Sequence, residues 1–427
     1  MATSSRRTFL KQASAAGLAA GLAGTVRASN AKEKVVVGLI GCGGRARRFF
    51  DYADYVCDPD SERLAAAANE AGVDPSRAVA DMRRLLDDRS IDAVVIATPD
   101  HWHTPAAILA LQAGKHVYVE KPCSHNFREG QLLLEAARRS DLVVQHGTQQ
   151  RSSPRMTEVV AMLRDGAIGD VLVAKAWNVQ LRPNIGHAEP TEPPIGLNYD
   201  LWVGPAEFVP YQPNRLHYDW HWWHQFGTGD VGNDGSHEID LARWGLGVDT
   251  LPSKIAAIGG KYFHDDDQQF PDTATCVFEY PGNGDVGDRR QLIFEMRIWS
   301  TNYPYNCDNG VEFIGTQGRM MISKRGKLEI LGPRNKLIEQ ERFDVAKDMG
   351  HMDNFLDAIR SGRSPSAPIE EAHRSVALVH LANIALRTGR AIDFDPATEQ
   401  IVGDDEASRL LRRAYRQGGH WAIPHGV

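Results

Sequence analysis

The stretch Val35-Val36-Val37-Gly38-Leu39-Ile40 runs without a break into Gly41-Cys42-Gly43-Gly44-Arg45-Ala46, and few folds accept that order. A continuous apolar run closed by glycine reads as a strand buried on both faces. The turn at its end has the form G-x-G-x-x-A. Gly41 permits the tight turn, Gly43 lets the backbone approach a pyrophosphate, and Ala46 allows the next helix to pack closely on the sheet. Gly44 and Arg45 complete the turn at a helix N-terminus, where free amides and the helix dipole favour phosphate. The next requirement is an acidic residue ending the second strand, and Tyr55-Val56-Cys57-Asp58 supplies it. Asp58 can accept hydrogen bonds from a ribose diol and would repel a 2′-phosphate, which favours NAD over NADP. In the competing reading, Asp58 or Asp60 caps a helix over residues 61–71.

Strand and helix signals then alternate. Residues 91–97 form an apolar strand leading into Thr98-Pro99-Asp100-His101-Trp102-His103, after which Thr104 as N-cap, Pro105 and Gly114 frame a helix. Val117-Tyr118-Val119 is a further strand core. Pro122 cannot donate to a ladder, so the strand must stop and leave Glu120 and Lys121 at its carboxyl end. That edge is where open α/β sheets bind ligands. Asn126 and Glu129 form a capping box for a helix to Arg139, with a further strand over 141–145. Residues 34–150 are thus predicted to be a doubly wound parallel α/β domain.

Three of these segments together, Gly41 to Ala46, Ala97 to His103 and Ala113 to Pro122, resemble successive motifs of the glucose-fructose oxidoreductase and inositol dehydrogenase (Gfo/Idh/MocA) family. The resemblance implies that Lys121 contacts a reacting hydroxyl beside a nicotinamide. It also implies that the loop carrying Thr98, Pro99 and His103 lies near the cofactor, with Glu120 beside it. His101 and His103 could be read as metal ligands, but no third ligand stands at a convincing spacing. Five cysteines show no CxxC pair or Cys/His spacing, so no structural metal is expected.

After residue 150 the pattern changes. A helix over 156–164 and strands over 171–177, 253–260, 273–280, 290–299, 310–315 and 319–323 predict an α+β domain with a mostly antiparallel sheet, residues 151–427. An aromatic insertion includes Trp220, Trp222, Trp223 and His224; such rings stack on sugar faces, or else pin a long loop. It leads into Gly227-Thr228-Gly229-Asp230-Val231-Gly232-Asn233-Asp234-Gly235-Ser236-His237. This loop resembles the family's second motif, in which an Asp and a His four positions later flank the substrate. His237 matches, as general base. The Asp position holds Asn233, so either Asp230 or Asp234 takes over the charge, or the pair acts differently here. Helices are expected over 351–360 and 370–387, with a last helical turn over 410–416.

The chain has 427 residues, a formal net charge of -7 and a pI near 6.2, which gives no basic footprint for nucleic acid. Residues 1–30 contain Ser5-Arg6-Arg7-Thr8-Phe9-Leu10-Lys11 ahead of an Ala/Gly/Leu run, resembling a twin-arginine export signal. That route carries folded proteins, so NAD could be loaded before export to the periplasm. The expectation is an exported NAD-dependent oxidoreductase acting on a sugar, polyol or glycoside. The family resemblance implies a dimer or tetramer joined through the second sheet. An NAD-dependent glycoside hydrolase and a non-catalytic sugar- and NAD-binding protein are the alternatives.

Overall fold

The computed structural model describes residues 34–343 and 350–427; the signal expected over residues 1–30 lies outside them. Residues 34–427 group as one compact unit. Within the described residues no helix is long and apolar enough to cross a membrane.

The first sheet has six strands, β1 (Val37–Ile40), β2 (Tyr55–Cys57), β3 (Ala78–Val79), β4 (Ala93–Ile96), β5 (His116–Val119) and β6 (Val144–His146). Their order is β3-β2-β1-β4-β5-β6 and every pair is parallel. The apolar runs fit this arrangement because β1 and β4 are buried along their whole length. A parallel sheet covered by helices on both faces requires just that. The strand order reverses between β1 and β4, so their carboxyl ends open a crevice for a ligand.

The link from β1 to β2 departs from expectation. Ala46–Tyr52 is a 3-10 helix, not an α-helix. Asp54 ties the start of β2 to β1, its amide donating to Val37 O at 2.8 Å and its Oδ2 accepting from Val37 N at 3.1 Å. Seven residues of 3-10 helix span about 14 Å, against about 10 Å for an α-helix, so the tighter winding bridges a short crossover. The next helix, Ser61–Ala71, settles the question of the cap. Asp60 Oδ1 accepts from Glu62 N and Arg63 N at 2.9 and 3.2 Å, which leaves Asp58 free of that duty.

The helix after β4 also differs. It runs Asp100–Gln112, so Thr104 is not its cap and Pro105 lies inside. A proline there cannot donate to the carbonyl four residues back. Arg413 Nη2 takes that place, donating to His101 O at 2.9 Å. Thr104 Oγ1 instead donates to Cys123 O at 2.9 Å. Asn126 does cap the helix Phe127–Arg138, accepting from Glu129 N at 3.1 Å.

The second sheet has ten strands: β7 (Val171–Val179), β8 (Lys254–Gly260), β9 (Thr273–Tyr280), β10 (Arg290–Arg297), β11 (Asn309–Gly315), β12 (Arg319–Ile322), β13 (Lys327–Leu331), β14 (Leu337–Arg342), β15 (Ile392–Asp395) and β16 (Gln400–Val402). All its ladders are antiparallel except β7 with β10. The last four strands gave no sequence signal. Leu337–Arg342 is a charged edge whose partner β13, not its propensity, makes it a strand. The helix Ile369–Thr388 threads both halves. Ile369, Ala372 and Val376 pack in the core of the first sheet, and residues from Ala377 to Ala385 in the core of the second. The expected helical turn over 410–416 is absent. The helix is Asp405–Arg409, capped by Asp404, and the chain then extends so that Arg416 N reaches Pro205 O at 3.0 Å.

Candidate active site

One cavity of about 380 Å³ opens at the carboxyl edge of the first sheet, where β1, β2, β4 and β5 end. It gathers residues from widely separated parts of the chain. Gly41, Gly43, Gly44 and Arg45 form one wall with Asp58; Thr98, Pro99, Asp100 and His103 form a second. Glu120 and Lys121 come from the end of β5, Tyr218, Trp220 and His221 from the aromatic insertion, and Asn233 from the second glycine loop.

The glycine turn is shaped for a bulky anion. Gly41 has φ +91°, and a Cβ on it would stand 2.7 Å from Ala97 O and 2.8 Å from Thr98 N. Around Gly44 nothing lies within 4 Å of a Cβ position, and Gly43 would meet only an Arg63 nitrogen at 3.3 Å. Among the described residues no hydrogen bond occupies the amides of Gly43, Gly44 or Arg45. These amides would hold the pyrophosphate of a dinucleotide. Ala46 is fully buried beneath them. Asp58 is 8 % exposed and accepts from Cys42 N at 2.7 Å and Asp60 N at 2.9 Å. A carboxylate has about four acceptor positions, so two remain for a ribose diol. Gly41→Ala is expected to cost about 1–3 kcal/mol through backbone conformation alone and to weaken NAD binding at least tenfold. Denaturant unfolding and NAD titration would measure the two effects.

His103 braces the crevice. Its Nδ1 lies 2.6 Å from Pro122 O and its Nε2 2.9 Å from Thr98 O, so the ring ties the loop after β4 to the loop after β5. Burial lowers its pKa, and a neutral ring donates only one of these bonds. Glu120 Oε1 accepts from Arg45 Nε at 2.6 Å, and its Oε2 from Lys121 N at 3.2 Å. Burial works to raise the Glu120 pKa, but Arg45 and Lys121 outweigh it and hold the carboxyl below its usual value.

Lys121 is half-buried and reaches across to the second glycine loop. Its Nζ donates to Asn233 O and, at 3.2 Å, to Asn233 Oδ1. An ammonium has three donors, so one remains for an oxygen in the cavity. Asn233 Nδ2 in turn donates to Asp230 Oδ1 at 3.0 Å. Asp230 is fully buried, also accepts from Asn178 Nδ2 at 2.6 Å, and lies 3.5 Å from Arg182 Nη2. The carboxyl group that Asn233 lacks therefore stands one hydrogen bond behind it. A carboxylate at 233 would face that of Asp230, whereas the amide donates to Asp230 and accepts from Lys121.

Asp234 turns away from the cavity to Arg182, Gln180 and Lys324. Burial would raise its pKa; Lys324 and Arg182 drive it far below the usual carboxylate range. Asp230 goes the other way, raised by burial against the pull of Arg182.

His237 lies in the first turn of the helix Gly235–Leu246, half-buried. Asp240 anchors this helix to Arg151 through bonds of 2.8 and 2.9 Å. His237 is not on the cavity wall. Burial, then Lys324 and Lys121, pushes its pKa down to about 3, so the imidazole is neutral at ordinary pH. His221, which does line the cavity, is likewise lowered to about 3 by burial and by Lys121.

Of the aromatic residues expected to bind substrate, only Trp220 reaches this cavity. Trp222 is wholly buried with Phe270 and Ile298. Trp223 packs in a core with Tyr199, Trp202 and Phe226, its Nε1 donating to Asn214 O at 3.1 Å. His224 lines a different cavity. Several wall residues carried no assigned role in the sequence. Asp100 accepts from Thr228 Oγ1 at 2.7 Å, and its pKa is raised to about 7 by burial. Tyr218 and His221 had a signal in the aromatic run, Trp421 none. Among the described residues no cluster of His, Cys, Asp or Glu could hold a metal ion.

A parallel sheet with a glycine cradle at its switch point, and a lysine held against a second domain, define a nicotinamide-dependent oxidoreductase. The chain belongs to the Gfo/Idh/MocA family. Residues 35–148 match its model for the oxidoreductase NAD-binding Rossmann fold, and residues 175–279 and 308–423 match its C-terminal alpha/beta domain. The scyllo-inositol 2-dehydrogenase (NAD(+)) of Bacillus subtilis (strain 168) is 24 % identical over 355 residues, 80 % of this chain and 89 % of that one. A glycosyl hydrolase family 109 protein of Saccharopolyspora erythraea is 33 % identical over 205 residues, 39 % of this chain and 44 % of that one. A levoglucosan dehydrogenase solved with NADH and levoglucosan has a TM-score of 0.64 at 19 % identity, covering 84 % of this chain and 99 % of that one.

Proposed function

We propose that this protein oxidises a secondary hydroxyl of a sugar, polyol or glycoside, with Lys121 as the group that holds the reacting oxygen. The observation that carries the reading is the remaining donor on Lys121 Nζ, fixed by Asn233 at the meeting of the dinucleotide cradle and the second glycine loop. NAD, held by the amides of Gly43 and Gly44 and by Asp58, supplies the hydride acceptor. Lys121 orients the substrate hydroxyl and stabilises the oxygen as negative charge grows on it. A neutral imidazole, His221 on the cavity wall or His237 behind it, takes the hydroxyl proton, and the Asn233–Asp230 pair keeps the lysine in place. Trp220 and Tyr218 supply ring faces against which a pyranose or cyclitol can lie.

Purified protein mixed with a panel of sugars, cyclitols and glycosides tests the reading through reduced-nicotinamide absorbance. Growth of that absorbance supports a dehydrogenase. Release of free sugar without net NADH would support the hydrolase reading, which the partial likeness to a family 109 protein favours. Bound NAD that no substrate reduces would leave only binding.

Because His237 is neutral down to a pKa of about 3, kcat/KM is expected to stay level from neutral pH to below about pH 5. An acid limb near 6.5 that vanishes in His237→Asn would contradict the burial argument. One that vanishes in His221→Asn would contradict it equally and would identify His221 as the base.

Export by the twin-arginine route is part of the proposal. It rests on Ser5-Arg6-Arg7-Thr8-Phe9-Leu10-Lys11 and is tested by cell fractionation of an Arg6→Lys, Arg7→Lys variant. Self-association through the second sheet is supported by exposed Ile258 and Ile314, 77 % and 40 % accessible on β8 and β11. Light scattering of the eluted protein would give the subunit number.

A further inference from the structure

A second cavity, of about 440 Å³, shares no lining residue with the first. Its polar wall is short of partners. His125 is 8 % exposed and neither ring nitrogen has a hydrogen bond; Asn126, 6 % exposed, has its Nδ2 unpaired. Arg413 spends Nη2 on Glu129 Oε1 at 2.7 Å and on His101 O at 2.9 Å, and its Nε and Nη1 remain unpaired. Around the mouth stand Arg387, Arg409 and Arg412, all exposed, and among the described residues none has a carboxylate within ion-pair distance. Glu207 is the only acidic residue on the cavity wall.

Water can satisfy orphaned hydrogen-bonding groups in a cavity this polar, but it brings no countercharge to three guanidiniums. A guanidinium presents a planar fork of donors that matches phosphate or carboxylate oxygens two at a time. Burial, and next the charge of Arg413, holds the His125 pKa well below normal, so the wall offers a neutral imidazole and an amide to a polar ligand beneath the arginines.

We propose that this cavity is a second ligand site, for a small organic oxyanion bearing a phosphate or carboxylate. Arg387 and Arg412 clasp the charged group, and His125 and Asn126 meet the hydroxyls or remaining oxygens of the same molecule. The site touches the first cavity through one short relay. Asn383 Nδ2 donates to Thr228 O at 2.8 Å, Thr228 Oγ1 donates to Asp100 Oδ2 at 2.7 Å, and Asp100 lines the dinucleotide cavity.

The test uses the full chain saturated with NAD, so that the pyrophosphate cradle is closed to added anions. Melting temperature is followed against inorganic phosphate in one arm and citrate in the other, at ionic strength held constant with sodium chloride. The expected result is a saturable rise in at least one arm, with a dissociation constant on the order of 1 mM or tighter. An Arg387→Gln, Arg412→Gln double variant should bind at least tenfold more weakly while keeping its NAD-bound melting temperature. The arm that saturates identifies the charged group. No saturable rise in either arm, or a saturable rise unchanged in the double variant, overturns the proposal.

Discussion

Replacing Lys121 by methionine is expected to lower kcat by about 10³-fold while NAD still binds. Methionine keeps the aliphatic stem and removes all three donors. Two of those donors go to Asn233, so the substitution both frees the loop from its anchor and removes the third donor, which the proposed function assigns to the substrate oxygen. The cradle of Gly41, Gly43 and Gly44 is built by other residues and keeps its shape, which is why cofactor affinity should change little. Steady-state NADH formation and a fluorescence titration of NADH separate the two effects. Unchanged turnover would remove Lys121 from the chemistry, and joint loss of turnover and NAD binding would make its role structural.

Arg182→Met is expected to destabilise the protein by about 3–5 kcal/mol at neutral pH, the usual cost of breaking a buried ion pair from one side. Arg182 has a side chain 16 % exposed and stands between Asp230, fully buried, and Asp234. Without it, Asp230 keeps only the amides of Asn178 and Asn233, and Asp234 keeps Lys324 at 3.5 Å. The pH dependence has a definite sign. In the native protein Asp234 has a folded pKa below its unfolded value, so its stabilisation is present above the unfolded pKa and is lost as pH falls. In the variant the Asp230 pKa, already raised by burial, rises further. Its penalty then grows as pH rises from the ordinary carboxylate range up to that value, is level above it and shrinks toward acid. Urea unfolding at pH 7 and near pH 5 should therefore give a smaller deficit at the lower pH. An equal deficit at both would show that lost packing, not lost charge, carries the effect.

Much of the first sheet was legible because its signals are local. Strands β1 and β4 are apolar throughout, Asp58 ends β2, and Pro122 stops β5 shortly after Val119; each is set by residue type and neighbours alone. The antiparallel β9 was placed to the residue, over 273–280. The misses share a cause. Pro105 seemed to begin a helix because the carbonyl that it leaves unpaired finds Arg413 from more than three hundred residues away. Trp222 and Trp223 seemed available to a sugar because ring chemistry is the same in a core and in a pocket. Charged β14 has no strand pattern until β13 pairs with it.

For the site itself, local chemistry determined that a dinucleotide turn exists and that Lys121 stands at the edge where ligands bind. It determined also that Asn233 replaces an expected carboxylate. Only the tertiary structure decided what that replacement means. Lys121 meets Asn233 across 112 positions of chain, and Asn233 meets Asp230 and, through it, Arg182 from just beyond the end of β7. No periodicity encodes such pairs, because they form only when the two sheets have been packed against the helices that carry both cores. Once packed, burial makes each unpaired charge costly, and the chain of partners from Lys121 to Arg182 becomes the arrangement in which none is left alone.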